Sequence, residues 1–299
     1  MTKRLLDFKE NPVQTLTLDE LKETIDERNI GNNPVSGIVH YVLIERLMQM
    51  LDENKLKYEV MPIYATSGGI KAYPGVTKIH ALEEQHGEGS LQSHVLRRLI
   101  TGFNILKGET EETTQSIAVA YHQQGIQVAF GPNVKICRNQ CIYGDKNRFQ
   151  TYGDDKLNIE RLFQVVSDWI LNYDKLRKRD LSILENMKTI VLDYASVCNM
   201  IGELNLYRVA KDNLRIRSEY ILQQNQIGDL SAKYLTFLKT SDNTLDYSKG
   251  LTVYEFYNMC TELYKPQFTD LPNIIGRNHL LGDYLVGKFE LDKEVTSVE

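Results

Sequence analysis

The chain has 299 residues, 42% apolar and 25% charged, with 35 Lys and Arg against 40 Asp and Glu and a formal net charge of −5. This composition excludes a largely disordered chain, and no apolar run approaches the ~20 residues of a bilayer-crossing helix. The acidic balance has the wrong sign for a surface that neutralises duplex phosphates, and it suits a protein partner, above all a basic one. The length allows one large or two modest domains. Four cysteines (Cys137, Cys141, Cys198, Cys260) do not make a disulfide scaffold, so reduced thiols in a cytoplasmic protein are expected. The opening Met1-Thr2-Lys3-Arg4-Leu5-Leu6 has no apolar stretch behind it, so no signal peptide is expected.

The first element is a short helix. Thr17-Leu18-Asp19-Glu20 is a capping box, and Leu18, Leu21 and Ile25 recur at helical spacing before Gly31 and Pro34 break the chain. Ser36 is positioned to cap a longer helix through Ile38, Val42, Leu43, Leu47 and Leu51. From Tyr58 to Tyr64 the period changes to that of a strand, with Pro62 marking an edge or a bulge. A loop-like stretch from Ser67 to Ser90 follows, then a strand over Leu96 to Leu106. Ile117–Tyr121 and Ile126–Phe130 alternate around a loop ending in Gly125 and predict a hairpin, with a further strand within Val134 to Ile142.

After Asp154 the pattern becomes helical. Ile159, Leu162, Phe163, Val166, Ile170 and Tyr173 form one stripe on a helix expected to end in the basic run Lys175, Arg177, Lys178 and Arg179. Helices are predicted around 181–192, 195–204, 213–226 and 231–239. Thr252-Val253-Tyr254-Glu255 is a second capping box, and Pro272 suits the first turn of a last helix. Strands followed by helices without βαβ alternation predict an α+β fold: an N-terminal helix and antiparallel sheet followed by a mostly helical half. The expected organisation is a helical arm over 1–34, a sheet domain over 35–153, a helical domain over 154–290 and a flexible tail over 291–299.

No catalytic template is present. Cys137-x-x-x-Cys141 offers two thiolates where a structural zinc needs four ligands. His80, Glu83, Glu84, His86, Glu88 and His94 collect metal-ligand types, but without the H-E-x-x-H spacing. His80, His86, His94, Cys137 and Cys141 are therefore weak metal candidates, and no cofactor is expected. Lys175, Arg177, Lys178 and Arg179, with Arg97 and Arg98, would form the groove of a nucleic-acid binder. Seventeen tyrosines suit half-buried sheets and interfaces, and Tyr254, Phe256, Tyr257 and Tyr264 are the interface candidates.

The stretch from Val134 to Cys141 and the later Phe256, Tyr257, Asn258, Thr261 and Lys265 give the chain a resemblance to the phage/plasmid-like proteins of bacterial mobile elements. In that family a β-rich half ends in an aliphatic–Cys–x–Asn stretch, a long helix follows, and an aromatic–Tyr–Asn–x–x–Thr–x–x–x–Lys pattern lies near the C-terminus. The resemblance spans roughly residues 35 to 287. It implies a phage or plasmid origin and brings no active site with it.

The expected function is therefore that of a phage or mobile-element protein in a bacterial cytoplasm. It would act without catalysis, as a homo-oligomer, on a host protein complex that handles nucleic acid, in the specific form of an inhibitor of an anti-phage defence complex. The alternatives are a single-stranded-DNA binder of replication or recombination and a metal-dependent enzyme.

Overall fold

A computed structural model describes residues 13–24, 37–66, 98–122, 125–134, 148–151, 156–209, 221–264 and 274–292. The elements are β1 (Gln14–Leu16), α1 (Leu18–Glu23), α2 (His40–Glu53), β2 (Tyr58–Val60), β3 (Ile63–Thr66), β4 (Arg98–Ile105), β5 (Thr113–His122), β6 (Gly125–Val134) and β7 (Arg148–Gln150). There follow α3 (Lys156–Leu171), α4 (Tyr173–Thr189), β8 (Val191–Leu192), α5 (Tyr194–Val209), α6 (Gln224–Leu238), β9 (Leu251–Thr252), α7 (Val253–Glu262) and α8 (Ile274–Phe289). The α+β class is thus as the sequence predicts. No helix among the described residues is long and apolar enough to cross a membrane.

β1, β3, β4, β5, β6 and β7 lie side by side in that order, all antiparallel, and β2 also pairs with β4. The β5–β6 hairpin is its longest ladder, running from Thr113 opposite Val134 to His122 opposite Gly125. Val60 faces Phe103 while Tyr64 faces Ile100, so the first strand advances four residues where β4 advances three. The extra residue sits at Met61-Pro62, a β-bulge. Met61 N–H still donates to Gly102 O (2.9 Å), Thr101 Oγ1 donates to Met61 O (3.0 Å), and Pro62, which has no N–H to lose, faces solvent.

The two faces of the sheet differ in kind. Phe103, Ile117, Val119, Tyr121, Val128 and Phe130 point to one side and pack with Leu43, Ile44 and Leu47 of α2 and Leu162, Val166 and Trp169 of α3. Leu16 of β1 and Leu21 of α1 join the same cluster. The Phe130 ring lies 6.1 Å from Trp169 and 6.0 Å from Tyr173. On the other side stand Ile100, Ala118, Ala120 and Ala129, short side chains over which the C-terminal helices set Met187, Leu230, Phe256, Tyr257 and Leu285. Neither 34 nor 153 separates two cores, since residues on both sides of each position share the first cluster.

α4 joins the layers by running along the β4–β5 connection. Residues one or two turns apart on one face of the helix reach it in turn. Tyr173 Oη donates to Lys107 O (2.5 Å), Asp174 pairs with Lys107 (2.7 Å), and the Arg177 guanidinium donates to Gly108 O. Gln115 Nε2 donates to buried Asp180 (2.8 Å), and Lys188 pairs with Glu112 (2.7 Å). Gly108 has φ +72°, a conformation that favours glycine, and the Arg177 guanidinium lies close against it, 2.6 Å from where a Cβ would stand.

Both capping boxes form: Thr17 with Glu20, and Thr252 with Glu255. The latter opens α7 directly from β9, which pairs with β8. Between α5 and α8, Glu203 accepts from Tyr284 Oη (2.6 Å) and Lys288 Nζ (2.8 Å).

Several expectations change. α2 starts at His40 with Val39 in the cap position and no side-chain cap, so Ser36 is not its cap. The stripe through Tyr173 belongs to two helices broken at Asn172 (φ −98°, ψ 16°), because Tyr173 packs under the sheet as α4 turns away along its end. The basic run therefore lies within α4 and not at a helix C-terminus. Residues 221–223 precede a helix, with Gln223 and Gln226 forming a capping box, and α6 runs unbroken through Gly228 to Leu238. The expected strand after Val134 and the Pro272 helix start lie outside the described residues.

Two predictions follow from this packing. At Gly102 a Cβ would lie 2.5 Å from Ile117 O, against backbone that cannot yield, whereas at Gly202 in α5 it meets nothing within 4 Å. In urea melts Gly102→Ala is expected to lose about 1–3 kcal/mol and Gly202→Ala to gain up to about 1 kcal/mol; equal effects would contradict the packing described.

Glu203 supplies the second. Burial pushes its carboxyl up, but the hydrogen bonds from Lys288 and Tyr284 outweigh that and hold it below the ordinary value of 4.5. A depressed native pKa stabilises the fold above the unfolded value, and the contribution drains away as pH falls through the native value. The stability gap between wild type and Glu203→Gln should be constant near neutrality and close below pH 4.5. A gap unchanged down to about pH 3 would refute the linkage.

Candidate functional site

Among the described residues, a grouping of exposed apolar side chains lies where β8, α5, α6 and the 239–250 loop meet. Asp193 ends β8 and caps α5, accepting from Ser196 N–H (2.8 Å), and this fixes Tyr194 at the head of the helix. α6 brings Tyr234 and Phe237 alongside. The loop between α6 and β9 is bonded throughout: Lys239 bridges Leu245, Thr240 N–H donates to Thr244 O (2.9 Å), and Asp246 N–H donates to Leu238 O (2.9 Å). Asn243 takes the left-handed conformation at its tip (φ 62°), one that asparagine tolerates. Asp246 then accepts from Ser248 N–H (2.9 Å) and Ser248 Oγ (2.6 Å), closing the turn that carries Tyr247.

These supports align a row of rings. Tyr247 meets Tyr194 edge-on at 4.8 Å, Tyr194 stacks on Tyr234 at 6.2 Å, and Tyr234 stacks on Phe237 at 6.2 Å. Lys249 Nζ sits 5.2 Å over the Phe237 ring and is held there by the carbonyls of Phe237 (2.7 Å) and Lys239 (3.2 Å). Val191 fills the space beside Gly250, where a Cβ would lie 2.5 Å from its Cγ1. Much of this face is open to solvent: Val191 is 65% exposed, Tyr247 54%, Tyr194 38% and Leu245 36%.

The electrostatics suit contact. Hydrogen bonds from Ser196 and Ser248 hold Asp193 and Asp246 below the usual carboxylate range, so both stay charged. Hydrogen bonding to the Cys198 thiol raises the Tyr194 phenol, and burial raises that of Tyr234, so both are neutral donors at neutral pH. Among the described residues, no group of three or more His, Cys, Asp or Glu side chains is placed to hold a metal ion.

The residues singled out from sequence are dispersed. Lys175 and Lys178 are exposed, but Arg177 is bound to Gly108 O and Arg179 to buried Asp180 (3.1 Å), so the run presents two cations where four were expected. Arg98 opens β4 opposite Thr66, at the far end of that strand from the connection α4 follows. Arg97, His80, His86, His94, Cys137 and Cys141 lie outside the described residues.

The interface candidates need correcting. Phe256, Tyr257 and Tyr264 are core residues, because α7 lays the first two against the alanine face of the sheet and Tyr264, just past its end, joins the same cluster. Tyr254 is half-buried beneath the Lys188 ammonium, 5.3 Å from its ring. It borders an open cleft of about 440 Å³ between Thr110–Thr113 and α4. The charges there satisfy one another. The Lys188 ammonium donates to the Glu112 and Glu185 carboxylates, which hold it firmly protonated, so it is committed within the fold.

Tyr194 and Tyr247 escaped sequence reading, which registered only that tyrosine is abundant. In comparisons with known proteins the chain matches no family model, no curated protein and no solved structure.

The site fixes the behaviour of two thiols. Cys198 is exposed beside Tyr194, whereas burial raises the Cys260 thiol well above its ordinary value. In a Cys137→Ser, Cys141→Ser background, a disulfide reagent should modify one thiol in the native protein and both after denaturation. Rapid native modification of Cys260 would contradict the packing of α7.

Proposed function

We propose that this chain works by gripping another protein chain through the face made by Val191, Tyr194, Leu245 and Tyr247. The observation that carries this reading is the combination of exposure with rigidity. Four large apolar side chains are more than a third open, yet the loop that presents two of them is bonded at Lys239, Thr240, Asp246 and Ser248. A surface held in its contact geometry loses little conformational entropy on binding, and tyrosine supplies large contact area with few rotatable bonds.

The resemblance to phage/plasmid-like proteins supports a setting for this activity: a protein of a bacterial mobile element, acting in the host cytoplasm. There an inhibitor of an anti-phage defence complex is the form to test first. Loss of Arg177 and Arg179 to internal bonds weakens the nucleic-acid alternative along α4.

A photo-crosslinking amino acid placed at Leu245 tests the contact surface in bacterial cells, with Leu157 as control, since it is 71% exposed on α3 and away from this face. Light-dependent joining to a protein is expected at 245 and not at 157. It should fall at least ~10-fold when Tyr247→Asp is added, as for a central contact residue. No crosslink at 245, or equal crosslinking at both positions, would overturn the reading.

A further inference from the structure

Independently of the contact face, we infer that the N-terminal turn of α8 binds inorganic hydrogen phosphate. The residue that points to it is Asn278. Ile274, Ile275, Asn278, Leu281 and Leu285 share the face of α8 that is turned into the core, and Asn278 alone of these is polar. It is 1% exposed, and neither Oδ1 nor Nδ2 of its amide has a hydrogen-bond partner. Folds seldom leave both halves of a buried amide unpaired without a use for them.

Helix geometry says where the amide points and what it meets. Side chains on a helix lean towards its N-terminus, so Asn278 lies back over the first turn, from Ile274 to Arg277. The N–H groups of a first turn have no partners inside the helix and form its positive end. Among the described residues nothing accepts from the N–H of Ile274, Ile275 or Gly276, although all three residues are buried. Gly276 puts no side chain over the turn, and Arg277 brings a buried guanidinium that cannot lose its proton. The turn carries no acidic residue, and Asp283, the single acid of α8, faces His279 at 3.3 Å.

A helix N-terminus with an arginine beside it suits an anion, and Asn278 decides which one. Its Nδ2 donates to an oxyanion just as the backbone N–H groups do. Its Oδ1 only accepts, so it needs a ligand that also has a proton to give, and it repels one that has none. Hydrogen phosphate keeps an O–H at neutral pH. Sulfate has none, and a phosphate monoester, whose second pKa is about 6, has lost its own by about pH 8.

Calorimetric titration of the full chain at about pH 8 and fixed ionic strength is the test, with sodium phosphate, sodium sulfate, methyl phosphate and glycerol 3-phosphate as probes. Phosphate should bind saturably. Sulfate and methyl phosphate should bind at least ~10-fold more weakly, because each sets an oxygen against Oδ1 with no proton between them. Asn278→Leu, close in size, removes both unpaired polar atoms. It should raise the urea midpoint of the ligand-free protein and weaken phosphate binding at least ~10-fold. The wild-type anion series decides the matter even if that variant does not fold. Tighter binding of glycerol 3-phosphate than of phosphate overturns the inorganic ion as ligand and assigns the turn to a hydroxylated phosphate ester. No saturable phosphate binding, equal affinity for sulfate, or unchanged affinity in Asn278→Leu overturns the inference outright.

Discussion

The β4–β5–β6 meander has no wet face, and most of the remaining architecture answers that constraint. Antiparallel sheets commonly leave one side to solvent, but here alternate residues of β5 send Ile117, Val119 and Tyr121 one way and Ala118 and Ala120 the other, all of them buried. A sheet closed on both sides needs helices delivered to both. The chain does this with α2, which precedes most of the strands, and α3 beneath, and the later helices above. The break at Asn172 and the course of α4 along the sheet's end make the crossing. The polar bonds of α4 to the β4–β5 connection satisfy backbone carbonyls that the crossing helix would otherwise cut off from water.

The two faces also divide the work of packing. The large aliphatic and aromatic side chains fill the space under α2 and α3, while alanines and Gly102 let the C-terminal helices approach the other side. That approach explains why α7 contributes Phe256 and Tyr257 to the interior, and why the surface contribution of the C-terminal half falls to the loop beyond α6.

Local rules were legible in the sequence. The capping boxes at Thr17 and Thr252 depend on four consecutive residues, and the hairpin depends on alternation across one turn. The bulge at Pro62 was readable because proline lacks the donor a regular ladder demands. What stayed hidden depends on distant partners. β8 and β9 are two residues each and lie some sixty residues apart in the chain, too short to show a period. The α3–α4 break left no mark because Tyr173 continues the apolar stripe. Arg177 looked like a solvated cation, since nothing in its neighbourhood of the chain announces the Gly108 carbonyl. Tyr257 and Tyr247 are alike as letters, and only the turn of α7 and the loop from Lys239 separate core from surface.

The sheet's borders bear on how such molecules meet. Among the described residues β1 and β7 are three residues each, β1 beside the four-residue β3 and β7 beside three residues of β6, and the Met61-Pro62 bulge interrupts the strand beside β4. A stub of that length offers too few unpaired backbone groups to template another chain's strand. Association is thereby diverted from main-chain hydrogen bonding, which can propagate without limit, to side-chain patches of finite size.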